Sequence, residues 1–525
     1  MLKDTWPQYL FIRGIIFFLQ WLGPACLAAT AWNLYTAYPD WPAWSATKIW
    51  LAAEAVFFLF MLYYRIHLQR AAEHPPLRTY EERRELFNKV RSEIHDPEKF
   101  LSGWFRGAKV EDICRNGLRD FLNWAFWDGR AKLGPNGEDE EELEEYFYKV
   151  EKMMRKPFAE SSNRARALRL TIDSIEMECR TLAWYGLMMI ADTVTHILML
   201  RNGFGYFKTP STSLTIFPPR PLAAAAVQRS PAKKSSFWLK KHTSRMRLPV
   251  VYVHGIGVGL INQVGFLREL DEKLNGDRTL QEKDGEVGIL VLEILQVSSR
   301  LTQPILRQDE FLSEFTTLVD FAGFDRFVIA SPSYGSVLHT HILNPPPLAD
   351  RIPGSLLIDP VTILLHMPDV AYNFTVRPPK HANEWQLWYF ASKDPGVSHC
   401  LGRHFFWHEN LLWRDRLNSL VRDGMKVTAS LASDDLIVDT GPVGMYLSEN
   451  QIPDPEFDID EDGRKQVELK THGPVKGDEW KKRAWEGKGL EVMWWEGLDH
   501  AQVFDTKQSR ARLVDVLVEY SWDQR

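Results

Sequence analysis

Cysteine is scarce in this sequence: 525 residues hold only 4, at Cys26, Cys114, Cys179 and Cys400, with no short-spaced pair. That excludes a dense disulfide framework and a cysteine-built metal site, and reduced thiols are expected. An excess of positive charge is missing too. With 63 Lys and Arg against 69 Asp and Glu the net charge is −6, which argues against nucleic acid as a partner. No glycine-rich loop has phosphate-binding spacing, since Gly255, Gly257 and Gly259 fail the Gly-x-Gly-x-x-Gly pattern and no Lys-Ser/Thr ending follows. A phosphate-cradling loop is therefore not implied. His399, His404 and His408 lack a carboxylate at ligand spacing, so no metal is expected. Nor does the composition suggest disorder: at 45% hydrophobic and 25% charged, the chain has enough apolar residues for one large core plus accessory parts.

Three short segments carry chemistry together. They are Val-Tyr-Val-His-Gly-Ile-Gly at 251–257, Ala-Ser-Pro-Ser-Tyr-Gly-Ser at 330–336 and Gly-Leu-Asp-His-Ala at 497–501. Each follows a run of β-type residues, as loops at the carboxyl ends of parallel strands do. In the second segment a serine on a sharp strand-to-helix turn needs small neighbours two positions away on either side. Ser333 has Ser331 and Gly335 there, so the pattern is Ser-x-Ser-x-Gly where glycine is usual in the first place. Ser333 is thus the candidate nucleophile, and the turn aims the Tyr334 backbone N–H at a developing oxyanion. The first segment offers a second donor, the Ile256 N–H. Gly255 and Gly257 allow close approach there, and His254 plays a structural part.

Chain order is an independent test, because the nucleophile-elbow fold places serine, acid and histidine in that order. Between Ser333 and His500 the stretch Val427 to Val438 reads as a strand running into an acidic loop. Asp435 is the first choice to orient His500, and Asp434 is the alternative acid. Asp359, after the apolar run Ser355 to Ile358, is a third acid at a strand end, but Pro360 follows it directly. A loop-capping role is expected for it.

On these motifs the segment from about Leu248 to Arg525 resembles an α/β-hydrolase of the serine esterase/lipase type. The whole chain resembles the membrane-anchored α/β-hydrolases of fungi. The resemblance implies an α/β fold with a doubly wound, mostly parallel sheet, no cofactor, and acyl-enzyme chemistry on an acyl ester, with a lipid-like substrate as the expected partner. An acyltransferase using the same residues, and a catalytically silent scaffold at a membrane, are the alternatives. Acyl chain, head group and oligomeric state stay open.

The amino terminus reads as a membrane anchor over residues 1–75. Residues 14–35 carry no charge and reach the roughly 20 residues that a span needs. A second stretch, about 47–66, contains Glu54, which should face the first helix or be neutral. Tyr35, Tyr38, Trp41, Trp44 and Trp50 cluster around the connection as interface anchors do. Lys3 and Arg13 precede the hairpin and Arg65, Arg70 and Arg78 follow it, while the loop holds only Lys48. A bilayer-embedded hairpin with the catalytic domain in the cytosol is therefore expected, retained rather than cleaved as a signal peptide.

Residues 76–218 read as mainly helical, with candidate helices at Tyr80–Ile94, Glu138–Lys156 and Asn163–Leu200. The acidic run Glu138–Glu145 is expected to be a solvated helix start. Residues 219–247 read as a basic Pro/Ala/Ser linker, and 248–525 as the catalytic domain. That domain includes an insertion at about 362–415, whose His, Trp and Phe content suits a lid or a small core of its own.

Overall fold

The computed structural model describes residues 4–38, 44–134, 137–160, 165–210, 215–448, 456–459, 465–468 and 477–522. Trp41 and most of the charged stretch 454–476 lie outside them. The chain divides into two compact units, one of residues 182–364 with 410–525, the other of 2–181 with 365–409.

The first unit is a mixed, mostly parallel β-sheet with helices. Its strands are β1 (Gly205–Phe207), β2 (Phe237–Lys240), β3 (Val250–Val253), β4 (Ile289–Leu292), β5 (Val328–Pro332), β6 (Gly354–Ile358) and β7 (Lys426–Ala432). After a separate hairpin, β8 (Glu456–Ile459) with β9 (Lys465–Glu468), comes β10 (Leu490–Trp495). The eight-stranded order is β1-β2-β4-β3-β5-β6-β7-β10. From β4 to β10 all pairs are parallel, and β2 is antiparallel to β4 and β1. β3, β4 and β5 are buried at every residue. They are runs of Val, Ile, Leu and other apolar residues because parallel strands are covered on both faces. The chain turns outward in opposite directions on either side of β3, so its carboxyl end and that of β5 flank a topological switch point, where open α/β sheets place their sites.

The stretch expected to be a linker differs. Phe237 to Lys240 is a sheet strand, and four basic side chains of this segment are paired with acids within the unit. Arg220 pairs with Glu293 at 2.5 Å, Arg247 with Asp284 at 2.8 Å and Lys234 with Glu310 at 3.1 Å, while Lys240 meets Asp271. Charges spread along a sequence read as a solvated run, but the fold places these four beside acids.

The second unit holds α1 (Trp6–Ala37), α2 (Ala46–His67), α3 (Tyr80–Glu93), α4 (Pro97–Trp104), α5 (Arg115–Trp127) and α6 (Glu140–Met154). In α1 the buried residues are Ile12, Ile16, Leu19, Gly23 and Cys26, a four-three spacing that makes a straight seam against a neighbouring helix. Gly23 is needed there, since a Cβ would lie 2.7 Å from the Phe58 ring of α2. Glu54 is fully buried. α3 starts with a capping box between Thr79 and Glu82, and Phe87 stacks on Tyr146 of α6 at 4.0 Å. Glu142, from the acidic run, is buried and donated to by Arg83 and by the Tyr146 hydroxyl, so that helix start is not wholly solvated.

Where a helix was expected over Asn163–Leu200, only α7 (Leu182–Arg201) forms, and it belongs to the first unit. The described residues before it are irregular, with a turn at 170–173 in which the Ile172 and Asp173 N–H groups donate to the Arg169 carbonyl. The Gln69 side chain accepts from the Ile175 N–H and donates to its carbonyl, both at 2.9 Å, and the Glu178 N–H donates to the Lys393 carbonyl. Backbone groups satisfied this way have no need of a helical partner. The insertion 365–409 packs into the second unit through Trp407, whose indole donates to the Ala125 carbonyl at 3.2 Å, and through Tyr389 under Arg180. Among the described residues three helices, α1, α2 and α7, are long and apolar enough to cross a membrane.

Candidate active site

β5 delivers Ser333 onto a turn where it takes φ +51, and the helix Gly335–Leu343 begins two residues later. That left-handed conformation is uncommon for a non-glycine residue and costs about 1–3 kcal/mol, held by the surrounding fold. Gly335 must be glycine, because a Cβ would meet the Val253 carbonyl oxygen at 2.2 Å. The Ser333 N–H donates to the Ile358 carbonyl at 2.8 Å, and the Ser336 hydroxyl donates to the Ser333 carbonyl at 2.6 Å.

Ser331, in the place glycine usually takes, is fully buried with its hydroxyl 2.8 Å from His339 Nδ1. Nε2 of the same ring lies 3.1 Å from the Ser355 hydroxyl. Burial pushes His339 down to about 3. A neutral ring with one N–H and one lone pair satisfies both serines. The departure from the usual pattern thus has a structural partner.

The loop after β3 lies against this turn. A Cβ on Gly255 would stand 2.9 Å from the Ser333 Cβ and 3.4 Å from the Tyr334 nitrogen, which brings the loop that carries Ile256 beside Ser333. His254 is fully buried, with Nδ1 2.7 Å from the Gly255 carbonyl and Nε2 accepting from the Ile294 N–H at 2.9 Å. Burial lowers its pKa. It braces the loop and stands apart from the chemistry. The Gly257 N–H donates to the Val297 carbonyl, and the Ser299 hydroxyl to the Gly257 carbonyl.

His500 arrives from the loop after β10. His500 Nε2 lies 2.8 Å from Ser333 Oγ, and Nδ1 lies 2.6 Å from Asp435 Oδ2. The other Asp435 oxygen accepts from the Ile437 and Val438 N–H groups at 2.7 and 2.9 Å, so the carboxylate cannot swing. Asp434 is exposed and its carboxylate accepts from the Ser433 hydroxyl. The alternative acid is therefore not at His500, because consecutive side chains leave this loop in different directions.

Two further acids stand here, Asp359, the third acid considered from the sequence, and Asp499, which the sequence did not single out. Asp359 is fully buried at the end of β6 with φ +43, and its oxygens accept from the Ala432 N–H at 2.9 Å and the Ala501 N–H at 2.8 Å. It therefore ties the end of the acid-bearing strand to the base loop, at Ala501, which itself has φ +59. Asp359, Asp435 and His500 each present an atom within 4.8 Å of the others. The Asp359 and Asp435 oxygens at this cluster are already engaged by backbone N–H groups or by His500. Asp499 accepts from the Leu436 and His500 N–H groups at 3.0 and 2.7 Å, joining the same two loops. Burial, and next the charge of Asp435, lift Asp359 to about 7. Burial disfavours the imidazolium of His500, but Asp435, Asp359 and Asp499 together outweigh it and raise its pKa.

With Nδ1–H directed at Asp435, Nε2 carries the lone pair facing the serine hydroxyl. That arrangement can take the Ser333 proton as the oxygen attacks an electrophilic carbon and return it to a leaving group.

No protein-family profile and no curated protein matches the sequence. Solved structures do. A carboxylesterase structure from Nitrososphaera gargenis is 12% identical with a TM-score of 0.31, over 55% of this chain and 97% of that one. A bacterial membrane phospholipase A is 10% identical at 0.35, over 65% and 94%. A Bacillus subtilis carboxylesterase is 9% identical at 0.33, over 63% and 98%. Similarity at this level says nothing about the substrate of the present chain.

Proposed function

We propose that this protein is a membrane-anchored serine hydrolase that cleaves an acyl ester through an acyl-enzyme. The observation that carries the reading is the unbroken chain from Ser333 Oγ to His500 Nε2 at 2.8 Å and from His500 Nδ1 to Asp435 at 2.6 Å, starting at a strained serine. Ser333 is the nucleophile, His500 the general base and then acid, and Asp435 the group that fixes the tautomer. The Ile256 and Tyr334 N–H groups receive the oxyanion. Three strained non-glycine residues around one histidine, Ser333, Asp359 and Ala501, support a site held for chemistry rather than a relic. α1 and α2 form the anchor, and the flanking arginines set the catalytic unit on the cytosolic side. A lipid-like ester is the substrate class that such an anchor brings within reach.

Labelling of the detergent-solubilised full chain with a fluorophosphonate probe tests the reading. Wild type should label, whereas Ser333→Ala and heat-denatured protein should not. Folded wild type that fails to label in both detergent and lipid vesicles would leave a silent scaffold as the better description.

A further inference from the structure

α7 is the third helix with membrane-like composition, yet it is not free on all sides. Trp184, Tyr185, Met188, Asp192, Thr195, His196 and Met199 are buried, and the polar members of that face are engaged inside the first unit. Asp192 accepts from Arg300 at 2.9 and 2.5 Å and lies 3.3 Å from Arg220. His196 packs edge-on against Trp238. A helix whose inner face carries a buried ion pair to the loops beside a β-sheet cannot be surrounded by lipid.

The outer face is the opposite in character. Leu187, Ile190, Val194, Ile197, Leu198 and Leu200 are all exposed, between 36% and 58% of their full area. The polar residue among them is Thr193, and its hydroxyl donates back to the Met189 carbonyl at 2.8 Å. Arg201, exposed, closes the helix. A row of this kind over a helix of about 30 Å is larger than soluble surfaces leave uncovered. Its chemistry decides between occupants. Protein interfaces place aromatic or arginine anchors in a polar rim, whereas this row is aliphatic and has no free donor or acceptor for a partner to meet. An aliphatic face with a cation at its end suits a helix lying in the plane of a bilayer surface, with the apolar side about 5–10 Å into the acyl boundary.

We infer that α7 is not a third span but an in-plane docking helix, and that it seats the α/β-hydrolase unit itself on the lipid surface. The inference rests on the first unit alone and does not depend on what Ser333 does.

The test uses the full chain in phosphatidylcholine/phosphatidylserine vesicles. Cys179 is replaced by Ser, the other three cysteines being buried. An environment-sensitive fluorophore is then attached at Ile190→Cys, at Val194→Cys, or at Glu282→Cys, an exposed position elsewhere on the unit. Labels at 190 and 194 should emit at shorter wavelength than the label at 282. A nitroxide on the lipid chain near the head group should quench them by about twofold or more, and more strongly than one at the chain terminus. The label at 282 should be unaffected. Equal quenching at all three positions, or water-like emission at 190 and 194, would overturn the inference. So would emission that depends on protein concentration rather than on nitroxide, which would assign the face to a second copy of the chain.

Discussion

Replacing Asp359 by Asn isolates the second carboxylate behind the base. Asp359 lies within 4.8 Å of His500, and at that separation an ionised carboxylate stabilises the imidazolium by roughly 3 kcal/mol at an effective dielectric near 20, equivalent to about two pH units. The limb follows His500, which is raised to about 9, and at that pH Asp359, lifted to about 7, is ionised, so most of the effect should be expressed. The sign follows from what the base needs. His500 accepts a proton only when neutral, and removing a negative charge beside it lowers its pKa. The acid limb of kcat/KM should therefore move to lower pH by about two units, and activity just below neutrality should rise relative to the plateau. Asparagine keeps one acceptor but turns an NH2 towards either the Ala432 or the Ala501 N–H, so stability should fall by about 1–3 kcal/mol. Measuring kcat/KM of a soluble chromogenic ester across pH, with thermal unfolding on the same samples, separates the two effects. A pH limb that stays in place while the enzyme remains folded and probe-reactive would show that Asp359 carries no charge felt by His500.

Other substitutions give distinct outcomes. Asp435→Asn should reduce the rate of fluorophosphonate labelling by about a hundredfold to ten-thousandfold by presenting the wrong tautomer, while Asp434→Asn should leave it within about twofold. Ser331→Gly, which restores the usual pattern, should lower the thermal midpoint by removing the hydroxyl beside His339, a loss of about 1–3 kcal/mol, without speeding labelling. Glu293 is buried, which opposes its charge, yet Arg220, Ser236 and Tyr206 hold it down to about 2. A carboxylate with a lowered pKa contributes stability above its unfolded value near 4.5 and loses it as pH falls towards 2, here roughly 3 kcal/mol. Glu293→Gln should accordingly cost most at neutral pH, and thermal unfolding of the two proteins should converge as pH falls through that window.

The parts of the site that could be read in the sequence share one property: each sits at the end of an apolar run whose length and composition mark a parallel strand. β5 before Ser333 is of this kind, and β10 before His500 is a partly buried edge strand that is still mostly apolar. β1 and β2 were not legible, because Gly205–Phe207 and Phe237–Lys240 are short and set among lysines and serines. Their strand character comes from antiparallel pairing with each other and with β4. Asp359 was visible as an acid at a strand end, but its reach to both Ala432 and Ala501 depends on a positive φ that no residue preference announces. The adjacent Asp434 and Asp435 are equivalent in sequence. What separates them is which one the Ile437 and Val438 N–H groups can clasp. The insertion was legible as apolar, but hydrophobicity does not say which core an apolar segment joins.

That insertion has a consequence for how the molecule is made. The amino-terminal unit takes its last segment, 365–409, from beyond six strands of the sheet. Bonds that close it, such as the Trp104 indole to the His366 carbonyl at 3.1 Å and the Glu178 N–H to Lys393 at 2.9 Å, cannot form until residues 366 and 393 have left the ribosome. The unit translated first is thus completed late, while the sheet is still missing β7 and β10. Domains that fold strictly in the order of synthesis have no such requirement. A nascent chain arrested before residue 365 should expose the aromatic core of α3 to α6 to chaperones or proteases, and one arrested after about 440 should protect it.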